Sequence, residues 1–216
     1  MPKLKPAIQQ ARRDHILNAA EVCFARAGFH RTTVQDICKE AAISPGALYV
    51  YFDSKEALIA GICERERAAF GERLATLADA PDFLQALQEL GEHYLVHQPL
   101  YKSQICLEIG LESTRNVRVG AIHRGTDEFI GAGFERLFQR MQDEGRIAPE
   151  LDIPTLARVV SVIGDGLFWR RVVDPNFDGR ALVPATLQAL AGLLKPAPQA
   201  PKESHELKTA SHSGGN

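Results

Sequence analysis

The chain has 216 residues, of which 45% are hydrophobic and 24% charged, and its formal net charge is −2. This composition is ordinary for a globular protein, and no apolar run reaches the roughly 20 residues that a membrane-spanning helix needs. The basic N-terminus has no apolar segment after it, which argues against a signal peptide and leads us to expect a cytoplasmic protein.

Charge is divided unevenly along the chain. Residues 1–55 contain eight Lys and Arg against five Asp and Glu, whereas residues 56–216 contain seventeen against twenty-two. A basic head on an acidic body favours an anionic partner for the head. The alternative is a solvated basic surface that has no partner.

Apolar residues recur at helical spacing along nearly the whole chain, and strand signals are almost absent. The first predicted helix covers 9–27, and Gly28 is a typical residue for ending it. A short second helix follows Thr32 or Thr33, either of which is a good N-cap. The spacing therefore predicts an all-α fold.

The residues ISPG then interrupt the second helix and open a short third helix near 45–51. Ser44 is a good N-cap, and Pro45 is favoured at the first helical position. Asp53 and Glu56 have the spacing of a capping box, which predicts that a fourth helix starts there.

Loops that contain Pro, Gly or Asp separate the remaining predicted helices. The fourth helix and those after it are expected at 53–77, 82–97, 100–114, 118–144, 153–173 and 180–194. After residue 195 the chain has no aromatic residues and almost no large aliphatic ones, which predicts a disordered tail at 196–216.

Two short helices joined by a tight turn, the second entered through Ser-Pro-Gly, describe a helix-turn-helix. In this motif the second helix lies in the major groove of DNA, and its N-terminal residues meet the bases. Gly46 and Ala47 are small enough for a close approach, and Val50 can touch a thymine methyl group. The pattern therefore predicts double-stranded DNA as a partner.

Polar groups flank the predicted recognition helix. Tyr49, Tyr51 and Lys55 lie on it or just after it, where they can reach phosphate oxygens. Thr32 and Thr33 add hydroxyls at the start of the second helix, where backbone N–H groups also favour a phosphate. Four basic residues form either a DNA-binding arm or a frayed terminus: Lys3, Lys5, Arg12 and Arg13.

The segment FARAGFHRTTVQDICKEAAISPGALYVYFDSKEALI resembles the DNA-binding segment of the TetR family of bacterial transcriptional repressors. Nearly every fixed position of the family pattern is matched between Gly28 and Leu58, although Val50 and Pro45 depart from it. Residues that the resemblance implies as base contacts are Pro45, Gly46 and Ala47, and those that it implies as phosphate contacts are Thr33, Tyr49, Tyr51 and Lys55.

The resemblance also implies an all-α C-terminal domain that dimerises and binds a small inducer, with no enzymatic activity and no cofactor. We therefore expect a helix-turn-helix DNA-binding domain at 1–52, a ligand-binding and dimerisation domain at 53–195 and the tail at 196–216. On this view the protein is a ligand-responsive repressor that binds a palindromic operator as a homodimer.

Apolar stripes on the last two helices predict the dimer interface. They consist of Leu156, Val159, Val160, Ile163 and Leu167 in one helix and of Leu187, Leu190, Leu193 and Leu194 in the other. Two such helices from each chain would form a four-helix interface across a two-fold axis, with Leu187 and Leu190 near its centre.

A ligand pocket is expected among the helices at 82–97, 100–114, 118–144 and 153–173. Its predicted apolar walls are Tyr94, Cys106, Phe134 and Trp169, and its predicted polar anchor is His97 or Glu108. The aromatic content favours an apolar or aromatic molecule with one polar end. A packed core is the alternative for these aromatic residues.

Two other classes of protein compete with this interpretation. A DNA-binding regulator that needs no ligand would have a sealed C-terminal core. An all-α metal enzyme would use the region of His93, His97 and Glu108, but two histidines one turn apart with no third ligand do not predict a metal site. The four cysteines form no C-x-x-C pair, so we expect buried free thiols, with Cys106 as the candidate for a redox sensor.

Overall fold

The computed structural model describes residues 6–197, so Lys3, Lys5 and residues 198–216 lie outside it. The described chain is helical, which confirms the predicted all-α fold. Its helices are α1 (Pro6–Ala27), α2 (Val34–Glu40), α3 (Pro45–Tyr49), α4 (Lys55–Asp79), α5 (Phe83–Glu92), α6 (Leu100–Ser113), α7 (Val117–Asp143), α8 (Ile153–Val173) and α9 (Gly179–Leu194). A π-helical segment, His93–His97, continues α5. In the described range no helix combines the length and apolarity that crossing a bilayer requires.

The ends of the first three helices follow the predicted caps. Gly28 has a φ of +80°, a left-handed conformation that favours glycine and ends α1. The Thr33 hydroxyl accepts a hydrogen bond from the backbone N–H of Asp36, and the Asp36 carboxylate accepts one from the backbone N–H of Thr33, which together form a capping box for α2. Ser44 caps α3 in the same way, with Pro45 in its first turn.

The predicted start of α4 is wrong by one residue. Ser54, rather than Asp53, accepts the hydrogen bond from the backbone N–H of Ala57. Asp53 instead accepts a hydrogen bond from the Ser54 hydroxyl. Glu56 accepts one from the Asn116 side chain at the start of α7, so its carboxylate is engaged outside α4.

Two apolar clusters form the core. The first joins α1, α2 and α3 to the start of α4 and to Ile105 and Ile109 of α6. The second lies among α4, α5, α7, α8 and α9. Each fully buried large side chain contributes about 1.5–3 kcal/mol. The boundary predicted between residues 52 and 53 thus runs through a shared core, and α6 is packed against the head.

The predicted tail begins too early. Ile147 and Pro196 form an antiparallel bridge, and the backbone N–H of Ala197 donates to the carbonyl of Arg146 at 2.9 Å. Residues 196 and 197 are therefore bonded to the loop after α7. The rest of the predicted tail lies outside the described residues.

Candidate nucleic-acid interface and ligand recess

The turn and the third helix present a continuous exposed surface. Pro45, Gly46 and Ala47 are exposed. Tyr49 is 54% exposed and Val50 is 77% exposed. The intervening Leu48 is buried and joins the first core cluster, so it anchors α3. The residues predicted to contact bases therefore share the outer side of the recognition helix.

Gly46 has no neighbour that requires a glycine. A Cβ added at this position would meet no atom of the described residues within 4 Å, and its φ is not in the left-handed region. Packing within the protein consequently does not explain why this residue is small. A close approach of DNA to the helix would explain it.

The two threonines before α2 have different roles. Thr32 is only 1% exposed, and its hydroxyl donates to the carbonyls of Cys23 and Gly28. The Thr33 side chain is exposed at the N-cap of α2. The structure thus supports Thr33 as a surface hydroxyl, whereas the hydroxyl of Thr32 faces the interior, contrary to the expected phosphate contact.

The Lys55 ammonium group is directed at the protein. Its Nζ donates to the carbonyl of Phe29 at 2.5 Å and to that of Thr32 at 3.0 Å. It also lies 4.3 Å from the centroid of the Phe29 ring. Lys55 therefore fixes the loop that precedes α2, which differs from the phosphate contact expected from the sequence. Tyr51 is half-buried beside the same core.

Two of the four basic residues predicted for an arm lie within α1. Arg12 is exposed on this helix. Arg13 forms an ion pair with Glu64 at 2.8 Å, and its guanidinium lies 5.2 Å from the centroid of the Phe52 ring. Neither residue belongs to an extended arm. Lys3 and Lys5 lie outside the described residues.

Two glutamates of α6 hold the turn after α1. The Glu108 carboxylate accepts a hydrogen bond from the backbone N–H of Phe29 at 2.6 Å. One helical turn further on, the buried Glu112 lies 2.9 Å from Nε2 of His30. The prediction that Glu108 anchors a ligand is therefore wrong, because its carboxylate faces the DNA-binding head.

A buried ionic network joins α1, α4 and α6. Glu21 is fully buried, and its carboxylate lies 2.8 Å from Arg65 and 2.9 Å from Lys102. Lys102 also pairs with Glu66 at 2.8 Å. Burial lowers the pKa of Lys102, but hydrogen bonds to Glu66 and Glu21 outweigh burial and raise this pKa overall. The network places paired charges between the head and the C-terminal helices.

Cys106 is an exposed residue of α6. Its thiol is accessible to solvent, yet burial raises the pKa of the thiol to about 12. Tyr94 and Cys106 are close enough for their charges to influence each other, and the rings of Phe70 and Phe168 adjoin Tyr94, so we call the region bounded by these four side chains the recess. The role of Cys106 as a pocket residue stays a prediction.

Aromatic rings line the region beside Cys106. The Tyr94 ring centroid lies 6.5 Å from that of Phe70 and 6.0 Å from that of Phe168. Burial raises the pKa of the Tyr94 hydroxyl. The ring centroid of Phe134 lies 5.6 Å from that of Phe70, and the rest of Phe134 packs in the second core cluster.

Two predicted pocket residues lie elsewhere. Trp169 is 48% exposed on the outer side of α8, away from the core. His97 is exposed at the end of the π-helical segment.

His93 is within hydrogen-bonding distance of the Gln98 side chain, at 3.2 Å. In the described chain no three His, Cys, Asp or Glu side chains are grouped so as to hold a metal ion.

The predicted sensor role of Cys106 also conflicts with its environment. A thiol needs a lowered pKa to be reactive at neutral pH, whereas that of Cys106 is raised. Cys23, Cys38 and Cys63 are buried, as expected, and burial raises the pKa of each thiol.

The stripes predicted to form the dimer interface face the interior of the chain. Leu190 is 8% exposed and packs in the second core cluster, as do Leu156, Val160 and Leu194. Leu187 is half-buried. The exposed apolar residues of these helices are Val162, Trp169 and Val173, opposite the buried residues of α8, and Leu182, near the start of α9. We refer to these four residues as the outer face.

Two features of the recess were missed from the sequence. Arg171 of α8 donates to the carbonyls of Tyr94 and Gln98, so it supports the π-helical segment from behind. Nothing in the sequence pattern signals this segment. Arg73 lies on the same side of α4 as Phe70 and Leu77. A charged residue in line with these apolar positions is the sequence signal that could have identified Arg73 as a candidate binding residue.

Comparison with known proteins agrees with the motif. The model of the family described as bacterial regulatory proteins, tetR family, matches residues 16–62. The HTH-type transcriptional regulator UidR of Escherichia coli (strain K12) is 33% identical over 162 residues, which cover 70% of this chain and 76% of UidR.

Solved structures share the whole fold. Salmonella enterica GusR is 29% identical with a TM-score of 0.71, and the match covers 90% of this chain and all of that one. The transcriptional regulator FadR from Bacillus subtilis, solved in complex with stearoyl-CoA, has a TM-score of 0.71 at 20% identity, covering 82% of this chain and 96% of that one. At the lower identity the likeness concerns the fold alone.

Proposed function

Because the chain belongs to the TetR family of bacterial regulatory proteins and is a transcriptional regulator, not an enzyme, we propose that it is a ligand-responsive repressor. It binds a palindromic operator as a homodimer, and a small-molecule inducer releases it. The observation that carries this proposal is that α6 contributes Cys106 to the recess and Glu108 to the turn before α2.

The two ends of this connection lie on opposite sides of one helix. Residues two positions apart differ by about 200° around a helix, so Cys106 and Glu108 point in opposite directions. A ligand seated against Cys106 displaces α6, and the carboxylates of Glu108 and Glu112 carry that displacement to the turn at Phe29 and His30. The ligand must favour one arrangement of the head over the other to shift the equilibrium.

The recognition helix reads DNA through a small, mostly apolar surface. Pro45, Gly46 and Ala47 approach the bases, and Val50 offers only an apolar contact. Tyr49 supplies an exposed hydroxyl for a phosphate, and the exposed Thr33 hydroxyl, which donates to the Asp36 carboxylate at 2.7 Å, would have to exchange that bond for one to a phosphate. In a dimer the two recognition helices enter successive major grooves about 34–36 Å apart, which accounts for a palindromic operator.

The outer face is the proposed dimer interface. Four large apolar side chains exposed on two neighbouring helices are typical of an association surface. Pairing of α8 and α9 with their copies across a two-fold axis would cover them. The proposed location is the bacterial cytoplasm, where the operator is found.

The recess favours an apolar or aromatic inducer. Tyr94, Phe70 and Phe168 provide rings, and Cys106 provides a polarizable wall. FadR from Bacillus subtilis, which has the same fold, was solved in complex with stearoyl-CoA. A regulator without a ligand is disfavoured, because a sealed core would leave no accessible thiol at Cys106.

The proposal is tested by selecting genomic DNA fragments with the purified full chain and sequencing them. We expect a palindrome whose half-sites are one helical turn apart, bound by two chains. The variant Tyr49→Ala should bind it more weakly, while the exposed control Glu128→Ala should not. Selection of fragments with no shared sequence would contradict the assignment of a specific operator.

A further inference from the structure

Arg73 is a half-buried cation of α4 that forms no ion pair with a carboxylate of the described residues. It lies on the same side of α4 as Phe70 and the buried Leu77. Its Nε is buried and has no hydrogen-bond partner, and no carboxylate in residues 6–197 forms an ion pair with its guanidinium. Its Cζ lies 5.8 Å from the centroid of the Tyr94 ring. The guanidinium therefore lies at the aromatic side of the recess.

Other inward-facing cations have partners. Lys102 pairs with Glu21 and Glu66, and Arg171 donates to Ser103 and to backbone carbonyls. Arg73 itself is half-buried, its Nε has no partner, and its one hydrogen-bonded side chain among the described residues is the uncharged Tyr94, whereas proteins normally pair a cation in such a place with a carboxylate. The contrast indicates that the partner of Arg73 comes from outside the chain.

On the basis of the proposed function, we propose that Arg73 binds the carboxylate of the inducer, which is an aromatic monocarboxylic acid. The planar guanidinium can donate two parallel hydrogen bonds to a carboxylate. The rings of Phe70, Tyr94 and Phe168 would then contact the aromatic part.

The side chains around Arg73 favour a ligand with one negative charge over a ligand with two. A phosphate dianion would require a second cation, but the nearby Lys102 is already occupied by two carboxylates. Burial and the positive charge of Arg73 both lower the pKa of His93, which keeps this imidazole neutral. Burial raises the pKa of Tyr94, so its hydroxyl stays protonated and can donate a further hydrogen bond.

The test compares two probes that differ only in charge, 2-naphthoate and 2-naphthamide. Each is titrated calorimetrically into the full chain, into Arg73→Met and into the control Arg136→Met, which removes an exposed arginine from α7. We expect the wild type and the control to bind the acid at least about 10-fold more tightly than the amide. Arg73→Met should lose this preference, and Arg73→Lys should keep part of it.

Three results would overturn the assignment: equal binding of both probes by the wild type, a preserved preference in Arg73→Met, or no binding of the naphthoate at millimolar concentration. Thermal unfolding shows whether Arg73→Met is folded, and we expect only a small loss of stability because the contacts with Tyr94 are removed but no ion pair is. Operator binding separates the two proposals. Binding that depends on Arg73 but leaves operator affinity unchanged supports the site and contradicts ligand-responsive repression. If a compound releases the operator equally from the wild type and from Arg73→Met, ligand-responsive repression is supported and the site at Arg73 is contradicted.

Discussion

The carboxylate of Glu108 lies 2.6 Å from the backbone nitrogen of Phe29, and this bond joins α6 to the turn that ends α1. The turn depends on Gly28, because a Cβ there would lie 3.0 Å from the same carboxylate oxygen and its φ is +80°. Lys55 holds the other side of the loop through the carbonyls of Phe29 and Thr32. The orientation of α2 and α3 is thus fixed by two charged side chains from α4 and α6.

Replacement of Glu108 by alanine should weaken the connection between the ligand recess and the head. The backbone N–H of Phe29 would lose its partner, which costs about 1–3 kcal/mol of stability where water cannot replace the carboxylate. Operator binding without ligand should persist, while release by ligand should be reduced. Denaturant unfolding and operator titration with and without ligand measure these effects.

The matched control is Glu128→Ala, which removes an exposed carboxylate from α7. It should leave both stability and ligand response unchanged. If Glu108→Ala responded to ligand as fully as the wild type, signal transmission through this contact would be refuted.

Replacement of Gly46 by alanine should separate DNA binding from folding. The added Cβ meets open space, and alanine favours the helix by about 0.5–1 kcal/mol, so stability should stay the same or rise. The methyl group should instead collide with DNA and lower operator affinity by about 10-fold or more, about 1.4 kcal/mol. Fluorescence anisotropy with labelled operator measures the affinity.

Gly131→Ala is the control for this change, because a Cβ at Gly131 in α7 also meets open space. It should gain stability in the same way and bind the operator normally. Unchanged affinity in Gly46→Ala would show that the recognition helix does not approach the bases at this residue.

Replacement of Lys55 by alanine tests whether its ammonium group positions the loop or contacts phosphate. Loss of hydrogen bonds to two carbonyls should lower the stability of the head by about 1–3 kcal/mol. The salt dependence of operator binding should keep its slope, because the ammonium group is engaged within the protein. A slope smaller by about 1 would instead indicate a direct phosphate contact.

Replacement of Asp165 by asparagine should raise stability at neutral pH. Burial and the negative charge of Asp127 raise the pKa of Asp165, with His123 opposing them. The folded state therefore holds a proton more tightly than the unfolded state does, and stability falls as pH rises from the usual Asp range through the raised pKa. The variant lacks this loss, so its advantage should shrink as pH is lowered. Denaturant unfolding at pH 7 and pH 5 tests the sign, and a variant less stable at pH 7 would contradict it.

The sequence indicated much of this fold because caps and turns are local. Gly28, Thr33 and Ser44 act through neighbouring backbone groups, so their roles could be predicted without knowledge of the tertiary structure. The roles of Glu108 and Lys55 could not, because each depends on a contact with a distant turn. The family resemblance implied a phosphate contact for Lys55, whereas its ammonium group donates to the backbone carbonyls of Phe29 and Thr32.

The dimer interface shows a second limit of sequence patterns. Helical spacing correctly grouped Leu156, Val160 and Leu190 on apolar stripes, but a stripe does not show whether its own chain or a second copy covers it. These residues are covered within the protomer. Leu190→Asp would therefore place an unpaired charge in the core and unfold the chain, so it does not test dimerisation.

The outer face offers a direct test of the dimer. Val162 is 63% exposed on α8 and lies on the same side of this helix as Trp169 and Val173. A charge at its position would be hydrated in a monomer but buried and unpaired in the proposed interface, where it is strongly unfavourable. Val162→Asp should therefore remain folded and sediment as a monomer, and its operator affinity should fall because the two heads are no longer linked.

Trp169 provides an independent signal for the same event, since it is the single tryptophan of the chain and lies on this face. Dilution of the wild type should shift its emission to longer wavelength as the indole becomes hydrated, whereas Val162→Asp should show the shifted emission at every concentration. Val117→Asp is the control, because Val117 is an exposed valine at the start of α7 where an acidic residue suits the helix dipole. A Val162→Asp protein that stays dimeric at micromolar concentration would place the interface on another surface.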